Sequence, residues 1–420
     1  MPSLLRPAVE ILSPAGSETC LAAALQAGAD AVYFGVEGFN LRAHASNFTV
    51  DRVPEVVAAA REHHAKAYLV VNSIIYEDEL DSLDALLASA AAANIDAVIA
   101  WDMAVMQAAQ RHGVPVMFST QASVSNSEAM QFYHAQFGVT RFVLARECSL
   151  EHIRAIRHRL DTAGLAHVEI EAFAHGAMCV AISGRCFMSY EQHGKSANRG
   201  ECLQPCRREY GIMSTDGKSA YTLGNDYVMS PKDLCTLPFI EQLLEAGVHS
   251  FKIEGRNRNP EYVSLTTRAY RRVIDFYLAN HLRSDDWRSG FQAIKDEEMQ
   301  RLQSVYHRGF SDGFYQGKPV AEWTQGRSSA ATRKKLHLGR VLNYYAQPSV
   351  AHIRIEDHGI STGDELMIQG PTTGVVTLTC DGMRLDESPI DTAKPGDEIT
   401  LIVPAPVRRG DTAFVRVPQA

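Results

Sequence analysis

Short β-branched or aromatic runs, each closing on a polar residue or a glycine, alternate along the N-terminal two thirds of the chain with Ala-rich stretches whose apolar positions recur near the helical period. The runs predict strands over Val9–Ser13, Ala31–Gly35, Ala67–Asn72, Ala97–Asp102, Val116–Gln121, Arg141–Arg146, Val168–Phe173 and Ser250–Glu254. The intervening stretches predict helices over Glu18–Ala27, Val53–His63, Leu80–Ala92, Ala104–His112, Ser127–Phe137 and Leu150–Leu160. Before several strands a Gly or Asn stands where a helix cap and a short loop belong, as in Gly28-Ala-Asp, Asn94-Ile-Asp, Gly113-Val-Pro and Gly247-Val-His. Eight β/α units over about 280 residues predict a closed, TIM-like (β/α)8 barrel, with a doubly wound open sheet as the alternative.

Active sites in such a barrel gather where the strands end, at the C-terminal edge. Those ends offer Ser13, Glu37, Asn72, Asp102, Gln121, Arg146, Glu171 and Glu254, with Arg42, His44 and Asn47 in the loop after the second strand. Taken singly, each is as well explained as a loop cap or a polar layer residue. One interval breaks the alternation, a stretch of about 60 residues after the seventh strand without a predicted element; such a stretch in a compact domain is usually functional.

Four of the eight cysteines lie in that interval, spaced Cys179-x6-Cys186-x15-Cys202-x3-Cys206. Clustered thiols in a chain without a secretory leader hold a metal or an iron–sulfur centre more often than they pair as disulfides. Structural zinc favours two close pairs, and only Cys202 and Cys206 are close. A [4Fe–4S] cluster tolerates uneven spacing, since it takes one thiolate at each corner iron. Zinc stays an alternative, and Cys235 is a candidate to replace one ligand. Cys20, Cys148 and Cys380 have no thiol neighbours in sequence and read as ordinary residues.

Beyond the barrel, Leu282–Gly317 is charged and helical in pattern and is expected to pack outside it. Gly326–Lys335, with four basic residues, reads as a linker. From Leu338 onward, alternating runs such as AHIRIE and EITLIV, broken by TGD, PGD and RGD, predict a small antiparallel β-barrel. The expected division is a barrel over 1–325, carrying the cysteine insertion at about 174–235, and a β-barrel domain over 336–420. The 420 residues, 45% of them hydrophobic, suit two soluble domains. MPSLLRPAVEILSPAG is neither signal peptide nor anchor, and no apolar run is long enough to span a membrane, so a cytoplasmic protein without a membrane partner is expected. A net charge of −8 argues against a uniformly basic nucleic-acid binder but leaves room for a basic patch.

The run Glu171–Ser189, EAFAHGAMCVAISGRCFMS, resembles the signature of the collagenase-like U-32 peptidase family, and Asn198–Arg207, NRGECLQPCR, its continuation. Leu12–Gly16 with Gly28–Gly35 resembles the family's opening, and Ser250–Arg256 with Pro260–Val263 its late motif. The similarity runs from about residue 9 to 320. It implies oxygen-independent hydroxylation: of tRNA uridine to 5-hydroxyuridine with prephenate as the implied hydroxyl source, of ribosomal RNA, or of a ubiquinone precursor. The family cysteines that ligate a [4Fe–4S] cluster in the ubiquinone pair match Cys179, Cys186, Cys202 and Cys206 here. The compact CLQPCR form is similar to the tRNA branch, so tRNA or rRNA is the expected partner, with an electron donor or family partner protein as a further expectation.

The peptidase label finds no local support, because neither GxSxG nor HExxH occurs and EHH at Glu62 has the wrong arrangement. A site built from His175 and strand-end carboxylates is the remaining peptidase alternative. For RNA, Lys252–Arg272 holds six basic residues against two acidic ones, and Arg185, Lys195, Arg199, Arg207 and Arg208 surround the thiols. A solvated helix face explains the residues after Arg258 equally well. Arg256, with Lys252 and Glu254 at the end of the last strand, is expected to hold a carboxylate of prephenate or an RNA phosphate. Glu171 and His175 are expected to move protons or orient the substrate, or else to support the cysteine loop, while Arg42, Asn72 and Gln121 line the pocket.

Overall fold

In the computed structural model, residues 9–42, 45–181, 185–208, 210–222, 227–282, 287–319, 322–324 and 329–419 are described. His44 lies outside them. Seven parallel strands, β1 (Glu10–Pro14), β2 (Ala31–Gly35), β3 (Lys66–Val70), β4 (Ala97–Ala100), β5 (Val116–Phe118), β6 (Arg141–Val143) and β7 (Glu169–Gly176), pair in chain order. A closing strand, Ser250–Ile253, pairs in parallel with both β7 and β1. The sheet therefore shuts into the eight-stranded barrel that the alternation predicts, and an open sheet is excluded.

Four of the crossover helices start where a side chain satisfies a free amide. Ser17 caps α1 (Glu18–Gln26), Asp102 caps α4 (Met103–Arg111), Asn126 caps α5 (Ser127–Phe137) and Ser149 caps α6 (Leu150–Thr162). Asp102 is thus a cap rather than a site residue. Between α1 and α4 come α2 (Val53–Glu62) and α3 (Leu80–Ala92).

The pleat sorts side chains into two cores. Ile11, Val32, Phe34, Leu69, Val98 and Phe142 point outward to the helices. Leu12, Tyr33, Tyr68, Val70, Ile99 and Met117 point into the barrel. The interior also holds a buried charge layer. Arg141 contacts Glu10 and Glu169 closely and lies 3.8 Å from Glu171, whose other oxygen takes Lys252 Nζ at 2.8 Å.

The long interval after β7 is more structured than expected. It contains α7 (Met188–His193), a hairpin of Gly211–Met213 with Ala220–Thr222, and the strands Tyr227–Pro231 and Asp233–Cys235. Asp233–Cys235 runs antiparallel to the end of β7 and parallel to Phe310–Ser311. The chain then re-enters the barrel through α8 (Ile240–Glu245) and the closing strand, and continues into α9 (Pro260–Asn280) and α10 (Trp287–Gln303). The charged segment from Leu282 is therefore only partly an outer helix, because its end joins the sheet.

The expected linker is corrected in part, since Arg333–Lys335 already belong to the strand Arg333–Tyr345. Beyond it an eight-stranded antiparallel sheet surrounds its own core, with Ala351, Ile353, Leu366, Ile399 and Leu401 buried. This unit docks on the flank of the barrel. Arg416 pairs with Glu261 of α9 at 2.8 Å, and Gln26 of α1 donates to the Thr372 carbonyl at 3.2 Å. No helix among the described residues is long and apolar enough to cross a membrane.

Candidate active site

At the C-terminal end of the barrel the cysteine insertion folds over the mouth and encloses a cavity of about 300 Å³. Cys179, Cys186, Cys202 and Cys206 all line it. Three of the sulfurs accept the backbone N–H two residues on: Cys179 from Ala181, Cys186 from Met188 and Cys202 from Gln204, each at 3.4 Å. Such amides stabilise sulfur that carries negative charge. Among the described residues, no three His, Cys, Asp or Glu side chains converge closely enough to hold a single metal ion. Four thiols lining one cavity would offer a polynuclear centre one thiolate for each corner. Cys235 is not among them. It is buried beside Met299 and Tyr270, and burial pushes its thiol up to about 12, so the expectation that it replaces a ligand is corrected.

Five guanidiniums, from Arg42, Arg146, Arg207, Arg258 and Arg308, face the same cavity against one carboxylate, Glu254. They arrive from separate parts of the chain. Arg42 follows β2, Arg146 follows β6 and stacks 3.9 Å from the Phe173 ring, and Arg308 is carried in by the segment that joins the sheet. Arg207 is anchored by the Met178 and Pro231 carbonyls and by Ser230. Arg258 and Arg308 flank the buried Asp233 at 3.5 and 3.9 Å.

Below the thiol-lined chamber, and sharing Arg42, Gln121, Arg146 and Glu254 with it, a small chamber of about 60 Å³ extends into the barrel. Asn72, Lys252 and Arg256 line this lower chamber, so the structure brings six of the eight non-cysteine site residues to one place. Glu254 accepts Arg42 Nη2 at 2.9 Å, with Arg146 4.0 Å away. Burial alone would raise its carboxyl, yet those two guanidiniums hold it down at about 2, so it stays ionised. Arg256 is 5% exposed. Its Nη2 donates to Asn40 Oδ1 at 2.9 Å, while its buried Nη1 has no protein partner. Burial, then the neighbouring Arg42, lowers this guanidinium to about 10, still charged at neutral pH. The packing is close enough that a Cβ on Gly35 would lie 2.2 Å from Nη1, which accounts for glycine at the end of β2. Nη1 is thus a fully buried donor without a protein partner, on a residue that lines the lower chamber.

The two residues assigned to proton transfer lie elsewhere, and that expectation is corrected. Glu171 lies beneath the lower chamber and reaches it only through Lys252. His175 faces away from the cavity. Along β7, Glu171 and Phe173 point inward, but the register slips where Lys252 pairs with Phe173 and the next residue, Ile253, pairs with His175. The extra residue puts His175 on the outer face, packed among Tyr262, Tyr270 and Phe310. Of the other strand-end candidates, Glu37 is exposed, Ser13 bonds Thr267 of α9, and Asn47 holds the turn at Arg42 and Ala45. Arg271 and Arg272 are tied into ion pairs with Asp30, Asp275, Glu297 and Glu298, the plain helix-face outcome.

Burial, with His307 and Arg258 nearby, lowers the His175 imidazole to about 3. In the unfolded chain it titrates near ~6.5, so between these values the unfolded state binds the extra proton and stability falls as the pH drops. The wild type is expected to lose about 2 kcal/mol from this group between pH 6.5 and 5. A His175→Phe variant removes that share of the acid sensitivity, read as the difference in unfolding midpoint between the two proteins at each pH. Parallel pH profiles would refute it.

Fold and site together define a parallel-barrel protein with a thiol-ringed, guanidinium-lined cavity over the catalytic end of the barrel. Residues 16–325 match Peptidase family U32, and the chain belongs to that family. It is 39% identical over 416 residues to a protein of Porphyromonas gingivalis named collagenase, covering 96% of this chain and 97% of that one. It is also 34% identical over 389 residues to a tRNA hydroxylation protein of Bacillus subtilis, covering 90% and 88%. A 23S rRNA 5-hydroxycytidine synthase of Escherichia coli is 35% identical over 306 residues, 73% of this chain and 45% of that one.

Proposed function

We propose that the chain is an oxygen-independent RNA hydroxylase that converts a tRNA uridine to 5-hydroxyuridine. In this reading Cys179, Cys186, Cys202 and Cys206 hold a [4Fe–4S] cluster, and prephenate supplies the hydroxyl group. The observation that carries it is the set of four thiols on one cavity, three of them accepting backbone N–H bonds, with five arginines lining the same cavity. Relatives named for hydroxylation of tRNA and rRNA support the substrate class.

When bound, the cluster supplies electron transfer or an iron that binds substrate. The chain's own residues do the rest. Arg256 and Lys252 take one carboxylate group of the donor at the lower chamber, while the rest of the donor lies in the larger chamber above, past Arg42 and Arg146, which Glu254 orients. Asn72 and Gln121 present amide groups to the polar edge of the base. The overall exchange balances without dioxygen: the donor's C–O bond breaks and a C–H forms, so it gains two electrons. The base loses C–H and gains C–O, giving up two electrons.

Two other readings are less well supported. A ubiquinone-precursor enzyme calls for an apolar pocket, whereas five guanidiniums line this one. The collagenase-named relative raises a peptidase, but His175 is turned away from the cavity and from Glu254. Nucleoside mass spectrometry of tRNA and 23S rRNA from cells lacking the gene, with and without the gene restored, tests the proposal. Loss and return of 5-hydroxyuridine in tRNA is expected. Unchanged nucleosides together with gelatin cleavage by the anaerobically purified protein would replace this reading with the peptidase.

A further inference from the structure

Beside the thiol cavity the insertion presents apolar groups to solvent that nothing in the fold covers. Phe187 is 77% exposed, Tyr190 57% and Leu203 43%. Phe187 lies between the cavity-lining Cys186 and Met188, and Leu203 between the cavity-lining Cys202 and Gln204. The Leu203 amide donates to Ser189 Oγ at 3.0 Å, which draws the two strips into one ridge on the rim. Large exposed apolar groups gathered into one patch mark an interaction surface.

The charge around the ridge selects the occupant. From Arg185 to Arg208 there are five basic residues against two acidic ones, in a chain whose net charge is −8; Lys195 pairs with Glu201 and Arg199 with Glu79, which leaves Arg185, Arg207 and Arg208 without a carboxylate partner among the described residues. Arg185 stacks 4.5 Å from the Trp101 ring and Arg199 4.9 Å from Tyr76, so guanidinium–aromatic stacks continue the ridge around the mouth. Arg208 is exposed and forms no ion pair with a described residue. Aromatic faces interleaved with arginines suit unstacked bases and the phosphates between them. A hydrophobic protein partner or a second copy would not require the positive excess.

We infer that Phe187, Tyr190 and Leu203 form a stacking platform for the single-stranded nucleotides flanking the base that enters the cavity, with Arg208 on their phosphates. The inference rests on the RNA reading above and adds the surface that presents the substrate. An enzyme acting on one base must take it out of its stack, and a platform on the rim offsets the lost stacking of its neighbours.

The test is fluorescence anisotropy of the anaerobically purified full chain with a labelled oligouridylate and with an unmodified tRNA transcript, alongside hydroxylation in cells. The Phe187→Ala/Tyr190→Ala variant is expected to weaken oligouridylate binding at least roughly tenfold while keeping its iron content and thermal midpoint. Phe187→Trp should keep wild-type affinity, and Arg208→Gln should reduce the salt slope by about one. Unchanged affinity in the double variant, with tRNA still hydroxylated, overturns the platform and leaves the RNA reading standing. A variant that dissociates from dimer to monomer with RNA affinity intact assigns the ridge to a second copy and also overturns it. A wild type that binds neither RNA probe overturns the platform and the RNA reading together.

Discussion

From the proposed cluster and reaction, Cys202→Ala is expected to purify anaerobically without iron and sulfide, and cells expressing it are expected to lack 5-hydroxyuridine in tRNA. The sulfur at 202 accepts the Gln204 amide at 3.4 Å and faces the chamber shared by the three other thiols, so its loss removes one corner of the set. A cluster held by four thiolates would lose one of its four protein ligands. The control is Cys235→Ala, whose sulfur is buried against Met299 and Tyr270 outside the chamber and whose loss should leave iron unchanged. Iron, sulfide and zinc analysis with an absorption spectrum decides the matter. Stoichiometric zinc in the wild type, or full iron in Cys202→Ala, would sink the cluster and the chemistry built on it.

The largest effect on stability is expected from Arg141→Met. Arg141 is 5% exposed, and its guanidinium holds Glu10 and Glu169 with Glu171 close by. The Glu10 carboxyl stays below the ordinary carboxylate range even though burial works to raise it, because Arg141 compensates. Removing that cation leaves buried carboxylates that Lys252 and the more exposed Lys66 only partly neutralise. Breaking such a buried pair from one side costs about 3–5 kcal/mol. That corresponds to a thermal midpoint lower by roughly 10 °C. Adding Glu10→Gln should recover part of the loss, since one uncompensated charge is gone. A midpoint within error of wild type in Arg141→Met would show that water or relaxation already screens the layer.

Much of the architecture was legible because its signals are local. Each barrel strand is a short apolar run beside a capped helix, and all eight were read within a few residues of their observed ends. The alternation in AHIRIE and EITLIV likewise marks two strands that pair with Ala351 opposite Leu401. The thiols could be grouped because they lie within 28 residues of one another, from Cys179 to Cys206.

What escaped depends on distant partners. His175 looks inward if strict alternation is carried on from Glu171, and only the register slip against the closing strand turns it out. Arg308 sits in a charged, helix-like stretch whose sequence says nothing of the cavity, and it arrives there because Phe310–Ser311 pairs with Asp233–Leu234. Arg256 could be picked as an anion ligand from its strand-end position, but its free Nη1 is visible only once Asn40 has taken Nη2 and Gly35 has made room. The sequence by itself determined the barrel, the thiol set and the strand-end candidates, because periodicity, capping and spacing act over a few residues. Tertiary structure alone decided which face His175 takes, which five arginines meet the thiols and which carboxylates are buried as counter-charges. Those outcomes follow from strand register and from contacts between segments far apart in the chain, which no local pattern encodes.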